Sequence, residues 1–475
     1  MRCTWRGQLP EMVTMYTTSL KPFLPVAAAL LIAGCAVGPT YQRPSAPDVS
    51  AYKEAGDWVT AAPADALERG PWWLLFNDPV LNDLAARVEV SNQNVAAAVA
   101  AYAQARALAS QQNAALFPSV SLTGAANRSG NNAGSSTTDQ LNLAGTWAPD
   151  VWGRLGRVAD GAAASAAASG ADLASAKLSA QGTLAVSYLS LRQQDAQLAL
   201  LASTVSAYAR ALEITQNRYN AGVAAKTDVL QAQTQLANVK AQESGIKRQR
   251  AQFEHAVAVL VGQLPSSFAI VAKADWSPQV PDVPLGLPSA LLQRRPDIAA
   301  AERRVAAANE QIGVAKSAYY PSLVLNASAG SASNRIGDLL KASTGIWALG
   351  VSAAQVVFDA GSITAKVDSA KAAHAQTVAL YRQVVLTAFQ GVEDQLFATA
   401  AYKEQEQLNR QSSQSADQVE QQLLNRYRSG QVGYTDVITA QTTALNARIS
   451  LGQTQLSRQT TAVALIQALG GGWKD

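Results

Sequence analysis

One local pattern occurs twice in this chain, and it limits the fold more than any other feature. Residues 218–240 and 426–448, aligned without a gap, are identical at ten of twenty-three positions. Both open Arg-Tyr-x-x-Gly and go on to Thr-Asp-Val. Self-similarity on this scale sets the architecture before any short motif is weighed. In each copy a long helical pattern runs into a glycine, Gly222 or Gly430, and a second begins near Thr227-Asp228 or Thr435-Asp436. Glycine just past a helix end accepts positive φ at little cost. Thr or Asp beyond it can accept hydrogen bonds from the free amides of the next helix. The spacing therefore predicts a helical hairpin tip, made twice. It favours two equivalent halves over the roughly three domains that 475 residues would suggest.

The flanking helices are long. Pro149 and Pro265 have no proline between them, and none follows Pro321. Leu184, Leu191, Leu198, Val205 and Leu212 recur every seven residues, as do Val239, Ile246, Phe253 and Leu260. Val378, Val385 and Val392, then Ile449, Leu456 and Val463, repeat the spacing in the second half. A sustained seven-residue period describes helices winding on one another along a seam. At about 1.5 Å per residue, a helix from Arg154 to Asn217 would reach roughly 95 Å.

Each half begins with a shorter helix and a strand pair. Asp78-Pro79 reads as an N-cap with proline in the first turn and opens a helix expected to continue to about Leu116. Phe117-Pro118-Ser-Val-Ser-Leu122 is answered 203 residues later by Tyr320-Pro321-Ser-Leu-Val-Leu325. Strands are expected at about 117–127 and 139–152, around a polar loop at Gly130–Thr138. The second pair is expected at about 321–330 and 344–358, around a loop at 331–342. Leu141, Leu143, Gly145 and Trp147 should share one face, with Asn142, Ala144 and Thr146 on the other. The expected organisation is thus a first repeat over 79–262, a linker over 263–288 with five prolines, and a second repeat over 289–475. Each repeat reads helix, strand, strand, long helix, tip, helix. Four strands leave two bare edges, and open edges are not viable in lipid. If these strands lie in a membrane, several identical chains must pool them into one closed barrel, most simply by cyclic assembly.

Residues 1–34 read as a secretory signal: Lys21, a short apolar run from Phe23 to Ile32, then Ala33-Gly34-Cys35. Met15 is the more ordinary start, which makes 1–14 an upstream extension. Leu31-Ile-Ala-Gly-Cys35 has the form of a bacterial lipobox, whose cysteine becomes the lipidated first residue; 35–78 would be an extended arm. A net charge of +4 with scattered Lys and Arg argues against a nucleic-acid partner. The only histidines, His255 and His374, sit in heptad helices, and no metal-ligand spacing, phosphate loop or nucleophile elbow occurs. Neither a metal, a cofactor nor an enzymatic activity is expected. The residues with functional promise flank the tips. Asp228 and Asp436 either complement the helix dipole or, in a ring of copies, line a cation-favouring constriction. Tyr219 and Tyr427 either clamp the tips or form part of a closed gate.

Taken together, the duplicated tip motif, Leu-x-Arg294-Arg295-Pro296-Asp297-Ile298, Tyr320-Pro321-Ser-Leu and the lipobox resemble the TolC-like outer-membrane efflux proteins, in particular their lipidated OprM/NodT branch. The resemblance covers nearly all of 35–475. It implies a mainly α fold with a membrane β-barrel portion: a homotrimer with a twelve-stranded barrel in the outer membrane, continued by a long α-helical barrel through the periplasm. It implies an exit duct for drugs or toxic small molecules in a tripartite pump, with lipid (palmitate) on Cys35. A periplasmic adaptor would dock at the tips around Gly222 and Gly430, and the inner-membrane transporter would be of RND type. Asp228, Tyr427 and Asp436 match the periplasmic gate. A TolC-type gate has Arg and Asp where this chain has Val432 and Thr439, which makes a more apolar constriction plausible here. Ala36 after the lipidated cysteine permits transfer to the outer membrane. Two other readings compete: the export duct of a peptide or protein secretion system, and a structural, lipid-anchored periplasmic coiled coil.

Overall fold

The computed structural model describes residues 37–45, 52–55, 71–132, 134–281, 283 and 295–471. Cys35 and the Leu291–Arg294 part of the second-repeat motif lie outside them. In order, the regular elements are α1 (Pro79–Ser91), α2 (Gln93–Ala114), β1 (Ser119–Asn131), β2 (Gly134–Trp147), α3 (Arg154–Asn220), α4 (Lys226–Leu260), α5 (Pro296–Ser317), β3 (Ser322–Ser333), β4 (Gly345–Ala354), α6 (Ser362–Arg428) and α7 (Tyr434–Ala468). The corresponding helices of the two halves have equal lengths, 67 residues for α3 and α6 and 35 for α4 and α7.

Two compact units divide the chain. The first comprises Gln112–Ala159 and Glu310–Asp368, with the described residues up to Pro39. It holds an antiparallel sheet in the order β1-β2-β3-β4, which leaves β1 and β4 as edges. Pairing runs from Ser119↔Thr146 to Asn131↔Gly134, so most of the expected 130–138 loop is strand. Ser and Thr bond well across a strand pair, as Ser129 does with Ser136 at 3.2 Å. Among the described residues Asn132 forms the turn, and Gly134, at φ 147°, opens β2 beside it. β2 ends at Trp147, short of 152, because Pro149 has no N–H to give the ladder. β4 ends at Ala354 rather than 358. Both long helices start under a carboxylate. Asp150 accepts from the amides of Leu155 (2.9 Å) and Gly156 (2.6 Å), and Asp359 from Gly361 (2.9 Å) and Ile363 (2.6 Å).

The second unit comprises Thr40–Gln111, Asp160–Asn309 and Ser369–Asp475. Asp78 caps α1 through Val80 and Leu81 (2.9 and 3.2 Å) and also takes a hydrogen bond from Tyr188 Oη at 2.7 Å. The single helix expected from Pro79 to Leu116 is two. Asn92 has extended backbone, and its Oδ1 accepts from Asn94 (3.0 Å) and Val95 (3.1 Å), capping α2 as α1 ends. All the heptad residues are buried or half-buried. Leu184, Leu191, Val385, Val392 and Val463 join one core with Trp72, Trp73 and Phe76. Val205, Val239, Ile246 and Ile449 belong to a second cluster around Leu201 and Tyr208.

Charged residues tie the proline-rich segment down. Asp195, its side chain fully buried, bridges Arg192 (3.0 Å) and Arg250 (2.7 Å). These arginines donate to the carbonyls of Val271 (2.8 Å) and Ile270 (2.6 Å). Arg295 forks onto Asp297 (3.0 and 2.6 Å) and donates to the Ala468 carbonyl at 2.9 Å, closing the end of α7. Asp195→Asn leaves two poorly solvated guanidinium groups without their shared counter-charge. It should cost on the order of 3–5 kcal/mol, read as a lower thermal midpoint of the helical signal in detergent. A midpoint equal to that of the parent would remove this bridge as the clasp of the segment.

Candidate functional sites: an open apolar sheet and a paired helical tip

Directly paired residues in a sheet share a face, so the register sorts the strands of the first unit. Leu122 pairs with Leu143, Trp147 with Leu325, and Leu325 with Val351; Ala327 pairs with Leu349 and Ala329 with Trp347. Val120, Leu141 and Leu323 fall on this same face. The opposite face carries Thr123 against Asn142, Asn326 against Thr146 and Ser328 against Ala144, with Val324 and Ile346 as exceptions. The side on which the sequence places Leu141, Leu143 and Trp147 is thus apolar across all four strands. It is also uncovered: Leu122 is 67% exposed, Trp347 81% and Leu349 78%. A broad exposed apolar face marks contact with lipid or another protein, and strands of 10 to 14 residues are long enough to cross a bilayer's apolar layer when tilted. Trp152 stacks on Tyr320 at 4.8 Å and donates to the Pro321 carbonyl at 2.7 Å, fastening the junction between β2 and α3 to the one between α5 and β3.

The tips lie in the second unit. Gly222 and Gly430 have φ of 78° and 76°. Around them Val223 N donates to Arg218 O and Gly222 N to Tyr219 O, both at 2.9 Å. Gln431 N to Arg426 O and Gly430 N to Tyr427 O repeat these bonds at 2.9 Å. This is the glycine-closed helix end that satisfies the last carbonyls. The restarts differ from expectation: Ala225 and Gly433 are the N-caps, with no side-chain cap bond. Asp228 and Asp436 sit within the first turn, three residues past the N-cap and too far along to cap, where the dipole still favours a carboxylate.

Asp228 is half-buried, Asp436 exposed, and Tyr427 only 4% exposed. Tyr427 packs against Tyr434 with ring centroids 5.2 Å apart, in a cluster with Ala232 and Val437. Val432 also joins this cluster, so the position of the missing gate arginine is filled by packing within the chain. Burial, with Tyr427 and Tyr208 adding to it, pushes the Tyr434 phenol up to about 12, so this phenol stays neutral. Thr439 lines a shallow groove between α4 and α7 with Leu230, Thr234, Thr435 and Ile438.

Sequence reasoning missed what holds the two tips together. The Arg218 guanidinium lies 4.7 Å from the centre of the Tyr427 ring. Its Nη1 donates to the carbonyls of Tyr427 (2.9 Å) and Arg428 (3.4 Å), the negative end of α6. The signal was present, since both copies of the motif begin with arginine, but only the geometry shows that one copy grips the other. Arg218→Met removes a charge-assisted bond and a cation–π contact. Hydrogen exchange at Ser429–Gln431 should rise by roughly tenfold or more, with the Ala221–Val223 amides less affected. Equal exchange at both tips would refute the clamp.

Comparison with known proteins places these features in context. The outer membrane efflux protein family model matches residues 84–263 and again 287–471. The probable efflux pump outer membrane protein TtgC of Pseudomonas putida is 32% identical over 459 residues, covering 94% of each chain. Among solved structures, the outer-membrane channel OprN aligns with a TM-score of 0.83 at 28% identity, over 92% of this chain and 100% of that one. The open state of the Neisseria gonorrhoeae MtrE outer membrane channel aligns at 0.82 and 26%, over 92% and 98%.

Proposed function

This chain belongs to the outer membrane efflux protein family, and we propose that three copies of it close into one duct serving a tripartite pump. The protein is an outer-membrane efflux channel and not an enzyme. The single observation that carries the assembly is the four-stranded sheet, apolar on one uncovered face and open at β1 and β4. In hydrocarbon each unpaired edge amide or carbonyl costs several kcal/mol. Joining β4 of one copy to β1 of the next around a threefold axis removes every edge and yields twelve strands. The apolar face then meets lipid and the Ser, Thr and Asn face lines the lumen. A purely structural coiled coil leaves this sheet without purpose.

The helical hairpins continue the duct into the periplasm. At their tips Gly222 and Gly430 present exposed turns to a periplasmic adaptor, which links the duct to an inner-membrane transporter of RND type. Drug-like or toxic small molecules are the cargo; relatives are named for toluene and antibiotic efflux. These relatives favour that cargo over peptides or proteins. At the closed periplasmic end Asp228 and Asp436 form rings of carboxylates. Tyr427 supports them from behind, inside the Arg218 clamp. With Val432 and Thr439 in place of a charged latch, the closed state rests on packing more than on salt bridges.

Cys35 carries the lipid in this reading. Val37, two residues on, donates to the Trp152 carbonyl at 3.2 Å, so the described start of the arm is fixed at a strand-to-helix junction. Next to it Gly38, at φ 129°, lies so near Gly313 that no side chain would fit. A lipid entering beside this junction would share the leaflet border with the strand ends.

Purified protein should run as a three-copy particle and show small, infrequent conductance steps in planar bilayers. Asp436→Ala should raise that leak several-fold. A one-copy particle without conductance would overturn the duct, and unchanged leak would remove Asp436 from the gate. Cys35→Ser should abolish incorporation of labelled palmitate; label retained in the variant would rule this cysteine out.

A further inference from the structure

We propose that Arg426 repeats the Arg218 clamp on the next copy of this chain, gripping the Tyr219 tip, so that the closed end has two alternating kinds of seam. This inference rests on the ring of three copies proposed above. The two tips agree bond by bond. Ala221 N donates to Asn217 O at 3.0 Å, Gly222 N to Tyr219 O at 2.9 Å and Val223 N to Arg218 O at 2.9 Å. Ser429 N to Asn425 O at 3.2 Å, Gly430 N to Tyr427 O at 2.9 Å and Gln431 N to Arg426 O at 2.9 Å repeat them 208 residues later. The two tips therefore present the same carbonyls and the same arginine in the same local frame.

Within one chain only half of this equipment is used. Arg218 reaches the Tyr427 and Arg428 carbonyls and covers the Tyr427 ring, which is 4% exposed. Its counterpart Arg426 is exposed, and its guanidinium has no partner among the described residues. The counterpart ring, Tyr219, is 39% exposed, and nothing among the described residues donates a side-chain bond to its carbonyl. In a ring where first and second tips alternate, the step from a first tip to its own second tip is followed by a step to the next copy's first tip. Moving the Arg218 contact by one step maps Arg218 onto Arg426, and Tyr427 and Arg428 onto Tyr219 and Asn220 of the neighbouring copy. The unused arginine and the uncovered ring are then the two halves of one contact.

The repeated seam is not identical to the first. Tyr434, buried against Tyr427, corresponds to Lys226, which is exposed. The seam between copies thus lacks the second ring and places an ammonium where the in-chain seam has a neutral phenol. It is the wetter seam, with like charges facing across it, and it parts before the seam within each chain when the end opens.

The test uses full-length, membrane-extracted protein with the photoreactive residue p-benzoylphenylalanine at position 219, and in parallel at 427. Irradiation at 219 should link copies into dimers and trimers on a denaturing gel, with the linked peptide containing Arg426. Irradiation at 427 should link to the Arg218 peptide without changing the size of the chain. Arg426→Met should raise bilayer leak several-fold while the particle keeps its three-copy mass. Intact three-copy particles with no product between copies at 219, a product mapping away from Arg426, or leak unchanged in Arg426→Met would each overturn the contact. A one-copy particle would overturn the ring and this contact with it.

Discussion

Backbone groups at a strand edge must bond to something, and in hydrocarbon there is no water to oblige them. That requirement decides more about this protein than any side chain. Its four strands pair continuously with one another, yet β1 and β4 each keep one side unpaired. Most of the apolar side chains gather on one face that nothing among the described residues covers. A soluble protein would hide both with a helix or a second sheet. Here the chain leads from the strands into the duplicated helices instead, and other copies of the chain are the partners we propose. The threefold closure proposed above answers the chain's own shortage of strands, and the family to which it belongs is one of outer-membrane ducts.

The helices meet a different demand. A helix in a tube wall touches neighbours on two sides and water on the others, so its apolar stripe is narrow. The heptad residues supply that stripe, but they share the buried space with polar groups such as Gln441, Thr454 and Gln459, each at most 5% exposed. Thr454 accepts from Asn409 at 2.8 Å and Gln459 donates to the Gln279 carbonyl at 2.9 Å. Such bonds add less to stability than apolar packing of equal area, but they resist sliding, because a shifted register would leave buried amides unpaired. Two long hairpins need that resistance, since a seven-residue repeat alone tolerates a slip of one heptad.

What was legible in the sequence was whatever depends on a few adjacent residues. The tip glycines, the Asp78-Pro79 helix start, the heptad seams and the faces of the strands all appear in the structure as the pattern implied. The errors arose where two local rules compete. Gly130–Thr138 has a loop's composition, but cross-strand pairing outweighs composition when both neighbours are already strands. Asn92 looks like one more polar residue in a helix until its side chain is seen capping the next one. Thr227 and Asp228 have the chemistry of caps, but the Gly222 turn uses enough chain that they arrive after the helix has begun. Contacts across two hundred residues were out of reach. Nothing in the string says that Arg218 grips the tip at Tyr427, or that Arg295 closes the end of α7.

Duplication explains why such a contact matters beyond its own strength. In the proposed ring, two tips with the same backbone and different flanking side chains give seams that alternate in quality. If all six seams were equal, the end would open everywhere or nowhere, because no seam would yield first. Tyr434 opposite Lys226 breaks that equality with one substitution between otherwise equivalent positions. In the in-chain seam, two phenol rings packed at a tilt and an arginine over a helix end make a dry, well-bonded joint. The other seam keeps the arginine and loses the second ring. In that ring, a partner pressing on the exposed turns at Gly222 and Gly430 would need to overcome only three of the six joints. Each chain's paired hairpins would move outward as one body, held by Arg218, and close again on the same contacts.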